Sequence, residues 1–187
     1  MFTAGTETSY LVLEFAMAEL MLHQETMVKL QADVRRNTPR GQETVAEENL
    51  TGMMYLKAVI KETLRLHPPS PLLVPHLSLE DCVVDSYGYT IPAGATVFIN
   101  AWAISRDPMV WEAAEEFMPE RFIQKGAVMV PDFTGKDFNF LPFGSGRRIC
   151  PGINFAMASI EIVLANLVYH FDWELPEGIS NILRCLG

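Results

Sequence analysis

Ten residues, Phe143-Gly144-Ser145-Gly146-Arg147-Arg148-Ile149-Cys150-Pro151-Gly152, turn the chain and lead directly into its most apolar stretch, Phe155 to Phe171. Gly144, Gly146 and Gly152 allow a tight turn and a close backbone approach to something flat or bulky. Pro151 and Gly152 place Cys150 at or just before a helix start, where free amides and the helix dipole favour thiolate over thiol. Arg147 and Arg148 add positive charge, and each can clasp a carboxylate. A cysteine in this setting has three readings: nucleophile, metal ligand, or inert core residue. The residues alone leave open whether the loop binds an anion around a nucleophile or offers a ligand to a metal.

The apolar stretch is interrupted by Glu161, Asn166 and His170 and falls short of an uninterrupted bilayer span, so it reads as a buried core helix. Upstream, Leu11, Phe15, Ala18 and Leu22 recur at helical spacing, with Thr3 as a cap and Glu7 in the first turn. The periodicity leaves open whether this helix continues through Leu30 and Val34. Asn37-Thr38-Pro39-Arg40-Gly41 is a loop. A second helix is predicted over Tyr55 to Leu66, with Leu56, Val59, Ile60, Thr63 and Leu64 inward. Pro68-Pro69 must stop it near His67. Strand-like runs follow at Cys82-Val83-Val84 and Thr96-Val97-Phe98-Ile99, separated by turn signals at Asp85-Ser86, Gly88 and Pro92-Ala93-Gly94. A loop-rich region carries Pro108, Pro119, Pro131 and Pro142. With no repeat and no linker, the pattern predicts one mainly α unit with small β-sheets, an α+β class.

Composition excludes more than it identifies. With 49% hydrophobic residues the chain is not a disordered one, and a net charge of −9 argues against a nucleic-acid partner. Cys82, Cys150 and Cys185 are odd in number and far apart, and His23, His67, His76 and His170 are equally scattered. A disulfide scaffold or zinc site is therefore not expected, and a reducing compartment is. The N-terminus has neither the basic nor the apolar region of a signal peptide.

Phe143, Gly146, Arg148, Cys150 and Gly152 together form Phe-x-x-Gly-x-Arg-x-Cys-x-Gly, which resembles the haem-loop signature of the cytochrome P450 family, plant microsomal type. That resemblance implies Cys150 as the axial thiolate of haem b (iron protoporphyrin IX), Arg148 on a haem propionate, and Phe143 shielding the sulfur. In this family the thiolate is generally described as pushing electron density towards O–O cleavage. Glu62 and Arg65, spaced i and i+3, would alone be an exposed ion pair of little worth. With Arg121 they match the family's buried three-residue network, which implies a structural role locking the haem loop to the core. Ala4-Gly5-Thr6-Glu7-Thr8-Ser9 reads as a plain helix start, yet is similar to the family's oxygen-activation motif. On that likeness Gly5 leaves room beside the iron, while Glu7 and Thr8 relay protons. The segment His67 to His76 would line the substrate pocket, with Leu72, Leu73 and Val74 as an apolar wall. His76 reads equally as a propionate contact and as a satisfied loop histidine. Asn100 to Ile104 and Arg106-Asp107-Pro108 further resemble the plant members, with Trp102 as core packing.

The resemblance implies an NADPH- and dioxygen-dependent monooxygenase acting on a small lipophilic metabolite. Its electron donor would be NADPH-cytochrome P450 reductase. A full-length relative would sit on the cytosolic face of the endoplasmic reticulum, held by an anchor this chain lacks. Two alternatives are an oxygen-independent haem-thiolate isomerase or dehydratase and a truncated, non-catalytic remnant. The likeness runs from Phe2 to about Pro176, less than half of a typical member, and Ile179 to Gly187 diverge. Residues 1–187 are thus expected to form a partial domain that exposes apolar surface, binds haem poorly alone and turns over no substrate.

Overall fold

A computed structural model describes residues 2–84, 88–124, 127–128, 133 and 135–176. The Asp85-Ser86 turn, Pro131, Cys185 and the Ile179–Gly187 tail lie outside the described residues. The core is organised around α3 (Met54–Leu66), in which every residue from Ala58 to Leu66 is buried. It ends where Pro68-Pro69 predicts. Packed on it are α1 (Phe2–Leu22), α2 (Gln24–Asn37), α5 (Ile153–His170) and a 3-10 turn at Pro119–Phe122.

The N-terminal helical pattern does not continue unbroken. The chain leaves helical geometry at His23 (ψ 73°), whose Nδ1 lies 2.9 Å from the Glu19 carbonyl that its own backbone N–H also engages. Thr3 lies within α1 and is not its cap. The inward face also differs from expectation. Val12, Ala16, Ala18 and Leu20 are buried, while Leu11, Phe15 and Leu22 are only half-buried. Because α1 is apolar on more than one side, two faces satisfy the same spacing, and the packing partners decide between them. Phe15 instead stacks flat on His67, ring centroids 4.6 Å apart.

Asp33, on α2, caps α3 from a neighbouring helix. Its buried carboxylate accepts the Tyr55 and Leu56 amides (2.8 and 3.4 Å) and pairs with Arg36 at 2.7 Å. A second joint forms on Glu120, which accepts from Lys29 Nζ at 2.6 Å and the Tyr55 hydroxyl at 2.9 Å.

Among the described residues, three two-stranded antiparallel sheets decorate this core. β1 (His76–Leu77) pairs with β4 (Thr96–Val97), β2 (Cys82–Val84) with β3 (Tyr89–Ile91), and β5 (Ile123–Gln124) with β6 (Ala127–Val128). The Thr96–Ile99 run is strand only to Val97, because its partner is two residues long. A short α4 (Ala101–Ile104) follows, its Ala103 amide donating to the Asn100 side chain.

Contrary to the expectation of a buried core helix, α5 is buried on one stripe only: Ile160, Leu164, Ala165 and Val168. Phe155 is 73% exposed. By length and composition alone α5 could cross a bilayer. Asn166 ties it to the core, bonding both the amide and the carbonyl of Val45 (2.9 and 3.1 Å).

Replacing Asp33 with Ala should cost about 1–2 kcal/mol by orphaning the first amides of α3, read as a lowered urea midpoint. Glu120 gives a pH-dependent case. Burial alone would raise its pKa, but the Lys29 ammonium, a backbone amide and the Tyr55 hydroxyl outweigh it and hold the pKa below the ordinary carboxylate value. A carboxyl depressed on folding adds stability above its unfolded pKa, and that increment is lost as pH falls through the folded value. Glu120→Gln should therefore be less stable than the parent at neutral pH, by under about 1 kcal/mol for so exposed a pair. Denaturation series should converge in acid.

Candidate cofactor site

The Phe143–Gly152 segment folds back on itself. The Cys150 amide donates to the Phe143 carbonyl at 3.0 Å, the Gly144 amide to Leu141 at 3.1 Å, and the Ile149 amide to Gly146 at 3.2 Å. Gly144 (φ 75°) and Gly146 (φ 68°) take left-handed conformations that would strain other residues. Gly152 does not: its φ is −92°, and it stands as the cap of α5 two residues past Cys150. Cys150 is half-buried beside an open cavity of about 430 Å³ shared with Phe133, Met157 and Glu161. Burial raises the Glu161 pKa against the pull of Lys57 and Lys61. Arg147 and Arg148 are exposed and form no ion pair among the described residues.

Glu62, Arg65 and Arg121 come together in the core. Glu62 and Arg65 are fully buried, and Arg121 is 9% exposed. Arg65 uses all five guanidinium N–H groups. Nε and Nη2 reach the Glu62 carboxylate (2.8 Å each), Nη1 reaches the Ser105 and Ala114 carbonyls (2.7 Å each), and Nη2 also reaches Glu116. Glu62 Oε1 further accepts Arg121 Nε and the Met118 amide, both at 2.9 Å. These bonds run to residues 105–121, and none among the described residues reaches 143–152. The connection to the cysteine loop is aromatic. Arg65 lies over Trp111 (5.4 Å), and Trp111 meets Phe140, which meets Phe133, whose ring stands edge-on to Phe143 at 5.4 Å. Phe143 thus packs into this row.

The remaining candidates lie outside the cysteine turn. Gly5, Glu7 and Thr8 lie on the exposed first turns of α1, and a Cβ at Gly5 would meet nothing within 4 Å. Leu72 and Val74 are exposed, and Leu73, between them, takes the unusual φ of 52°. A Cβ at Gly144 would lie 3.9 Å from the Leu73 side chain, so this segment and the cysteine loop touch. Among the described residues the buried Nδ1 of His76 has no hydrogen-bond partner. Trp102 is not core packing: it is 48% exposed, with the Arg106 guanidinium 4.5 Å over its ring. Two of the scattered histidines do meet, His67 and His23 contacting the buried Glu19 carboxylate at 2.7 and 3.2 Å. No group of three potential metal ligands from His, Cys, Asp and Glu forms among the described residues.

The family model of cytochrome P450 matches residues 1–184. The chain belongs to the cytochrome P450 family. It is 57% identical to the 3-hydroxyindolin-2-one monooxygenase of Zea mays over 181 residues, which is 97% of this chain and 33% of that protein. It is 58% identical to the indole-2-monooxygenase of Zea mays over 180 residues, 96% of this chain and 33% of that protein. A third relative, cytochrome P450 71A1 of Persea americana, is 56% identical over 97% of this chain and 35% of its own length. The chain thus spans about a third of the length of the curated relatives it matches. The P450 family implies haem, and the residues present fit it. A cysteine sulfur suits iron, and, among the described residues, two guanidiniums without an ion pair and a buried His76 Nδ1 without a polar partner suit propionates.

Removing Glu62 strands two guanidiniums away from water. Glu62→Gln should cost about 3–5 kcal/mol, and Arg65→Lys should not preserve stability, because an ammonium cannot span two carboxylate oxygens and three carbonyls. Urea denaturation with a parent-like midpoint in either variant would contradict this.

Proposed function

We propose that this chain is the haem-holding part of a haem-thiolate monooxygenase that oxidises a small lipophilic plant metabolite, using dioxygen and electrons from NADPH. The turn that presents Cys150 between two left-handed glycines and an apolar helix carries this reading. Bound haem would supply the iron centre at which dioxygen is activated. Cys150 gives the thiolate ligand, and Gly146 and Gly152 keep the backbone close. Phe143 anchors the loop through its carbonyl and its ring. Arg148 and His76 would hold the propionates. The Thr8 hydroxyl and the Glu7 carboxylate would hold and pass protons. Glu62, Arg65 and Arg121 hold the core on which the site rests.

Electrons come from NADPH-cytochrome P450 reductase, at the endoplasmic reticulum membrane. Two relatives from Zea mays are named for indole and an indolinone, which favours a flat bicyclic substrate of indole size. The apolar Leu72–Val74 segment suits one.

Cys150 borders an open cavity and Arg147 and Arg148 are exposed, so the chain alone should bind haem weakly. Titrated with excess haem, reduced and exposed to carbon monoxide, it should still give the band of thiolate ligation. Cys150→Ser should abolish that band. A band unchanged by this substitution would remove Cys150 as ligand. Exchanged for the matching third of the Zea mays indole-2-monooxygenase, the chain should support NADPH- and oxygen-dependent turnover. A chimera that folds and binds haem but needs neither co-substrate would contradict the monooxygenase reading.

A further inference from the structure

The loop preceding the cysteine turn makes contacts that the proposed roles do not use. Gly135 takes a left-handed conformation (φ 69°), and its carbonyl accepts the Ser145 hydroxyl at 2.6 Å. A Cβ there would lie 2.8 Å from both the Gly144 carbonyl oxygen and the Ser145 Cα, closer than carbon normally approaches either. Two residues earlier, the Phe133 ring stands edge-on to Phe143 at 88° and also borders the cavity at Cys150. Lys61, on α3, lies 5.8 Å over that ring. The loop is therefore seated on both ends of a short arc, Phe143 to Ser145, whose Phe143 carbonyl holds the Cys150 amide.

We infer that Phe133 and Gly135 form a brace that positions Cys150, Gly135 acting through Ser145 and Phe133 through Phe143. Gly135 is a positioning residue, since it touches the turn and not the sulfur. The inference rests on the haem-ligand reading for its purpose, but the brace itself is a property of the protein alone. A side chain at Gly135 would push the 144–145 backbone away and release the turn that fixes Cys150. Loss of the Ser145 hydroxyl would loosen the same contact more gently.

The test uses the full chain with Cys82→Ser and Cys185→Ser, so that Cys150 is its one thiol. Two readouts are taken: the alkylation rate of Cys150 by iodoacetamide without haem, and the thiolate-type ferrous–CO band with haem. Gly135→Ala should speed alkylation about tenfold, the size expected from left-handed strain plus overlap, and weaken the thiolate band. Far-UV circular dichroism should stay parental. Ser145→Ala should move both readouts the same way by less, and Ser145→Thr, which keeps the hydroxyl, should restore them. A merely structural role would shift the denaturation midpoint and leave the native alkylation rate untouched. A parental alkylation rate in folded Gly135→Ala overturns the brace. Should that variant lose its helical signal, Ser145→Ala against Ser145→Thr decides, and equal rates overturn it. If alkylation responds but the braced parent shows no thiolate band, the brace stands and the haem reading fails. The reverse pattern removes the brace and keeps the haem reading.

Discussion

The structure depends on one buried charge cluster. Glu62, Arg65 and Arg121 meet inside the core with every Arg65 donor and both Glu62 oxygens engaged. Ion pairs out of water are weak stabilisers, since desolvation offsets most of their attraction. Their value here is specificity. Three backbone carbonyls, from Ser105, Ala114 and Glu116, bond only if the irregular 101–122 segment wraps α3 in one register. Replacing the cluster by apolar side chains would leave those carbonyls unpaired, so an oily substitute is poorer than it would be elsewhere.

From this cluster the order reaches the cysteine turn through rings. Arg65, Trp111, Phe140, Phe133 and Phe143 form a continuous row, with Phe122 against both Trp111 and Phe140. Such edge and tilted contacts fix relative orientation as well as burying area. The turn is then closed by its own backbone bonds and opens into α5, whose buried stripe returns to α3. Core and site are thus linked by packing, and the charges act at one remove.

The local geometry around the candidate site was largely legible in the sequence because it resides in short local patterns. Cys150 among glycines and arginines, Glu62 three residues before Arg65, and Pro68-Pro69 closing a helix are all read within a few positions. Long-range decisions were not legible. The inward face of α1 was misjudged at Leu11, Phe15 and Leu22 though not at Ala18, since Val12-Ala16-Leu20 and Leu11-Phe15-Ala18 satisfy the same period. His23 and His67 look scattered along the chain, yet Glu19 gathers them. Asp33 and Gly135 gave no usable signal, because each acts on a residue ten or more positions away. The exposure of Trp102 and of one side of α5 likewise depends on what packs over them, which periodicity does not encode.

The central claim is a bond between one sulfur and iron. Resonance Raman spectroscopy of the ferric complex, with Cys150 as the one cysteine and heavy-isotope sulfur incorporated, tests it directly. An iron–sulfur stretch that shifts with the sulfur isotope and vanishes in Cys150→Ser is the predicted result. A spectrum indifferent to the isotope would contradict the ligand assignment and the oxidase chemistry built on it.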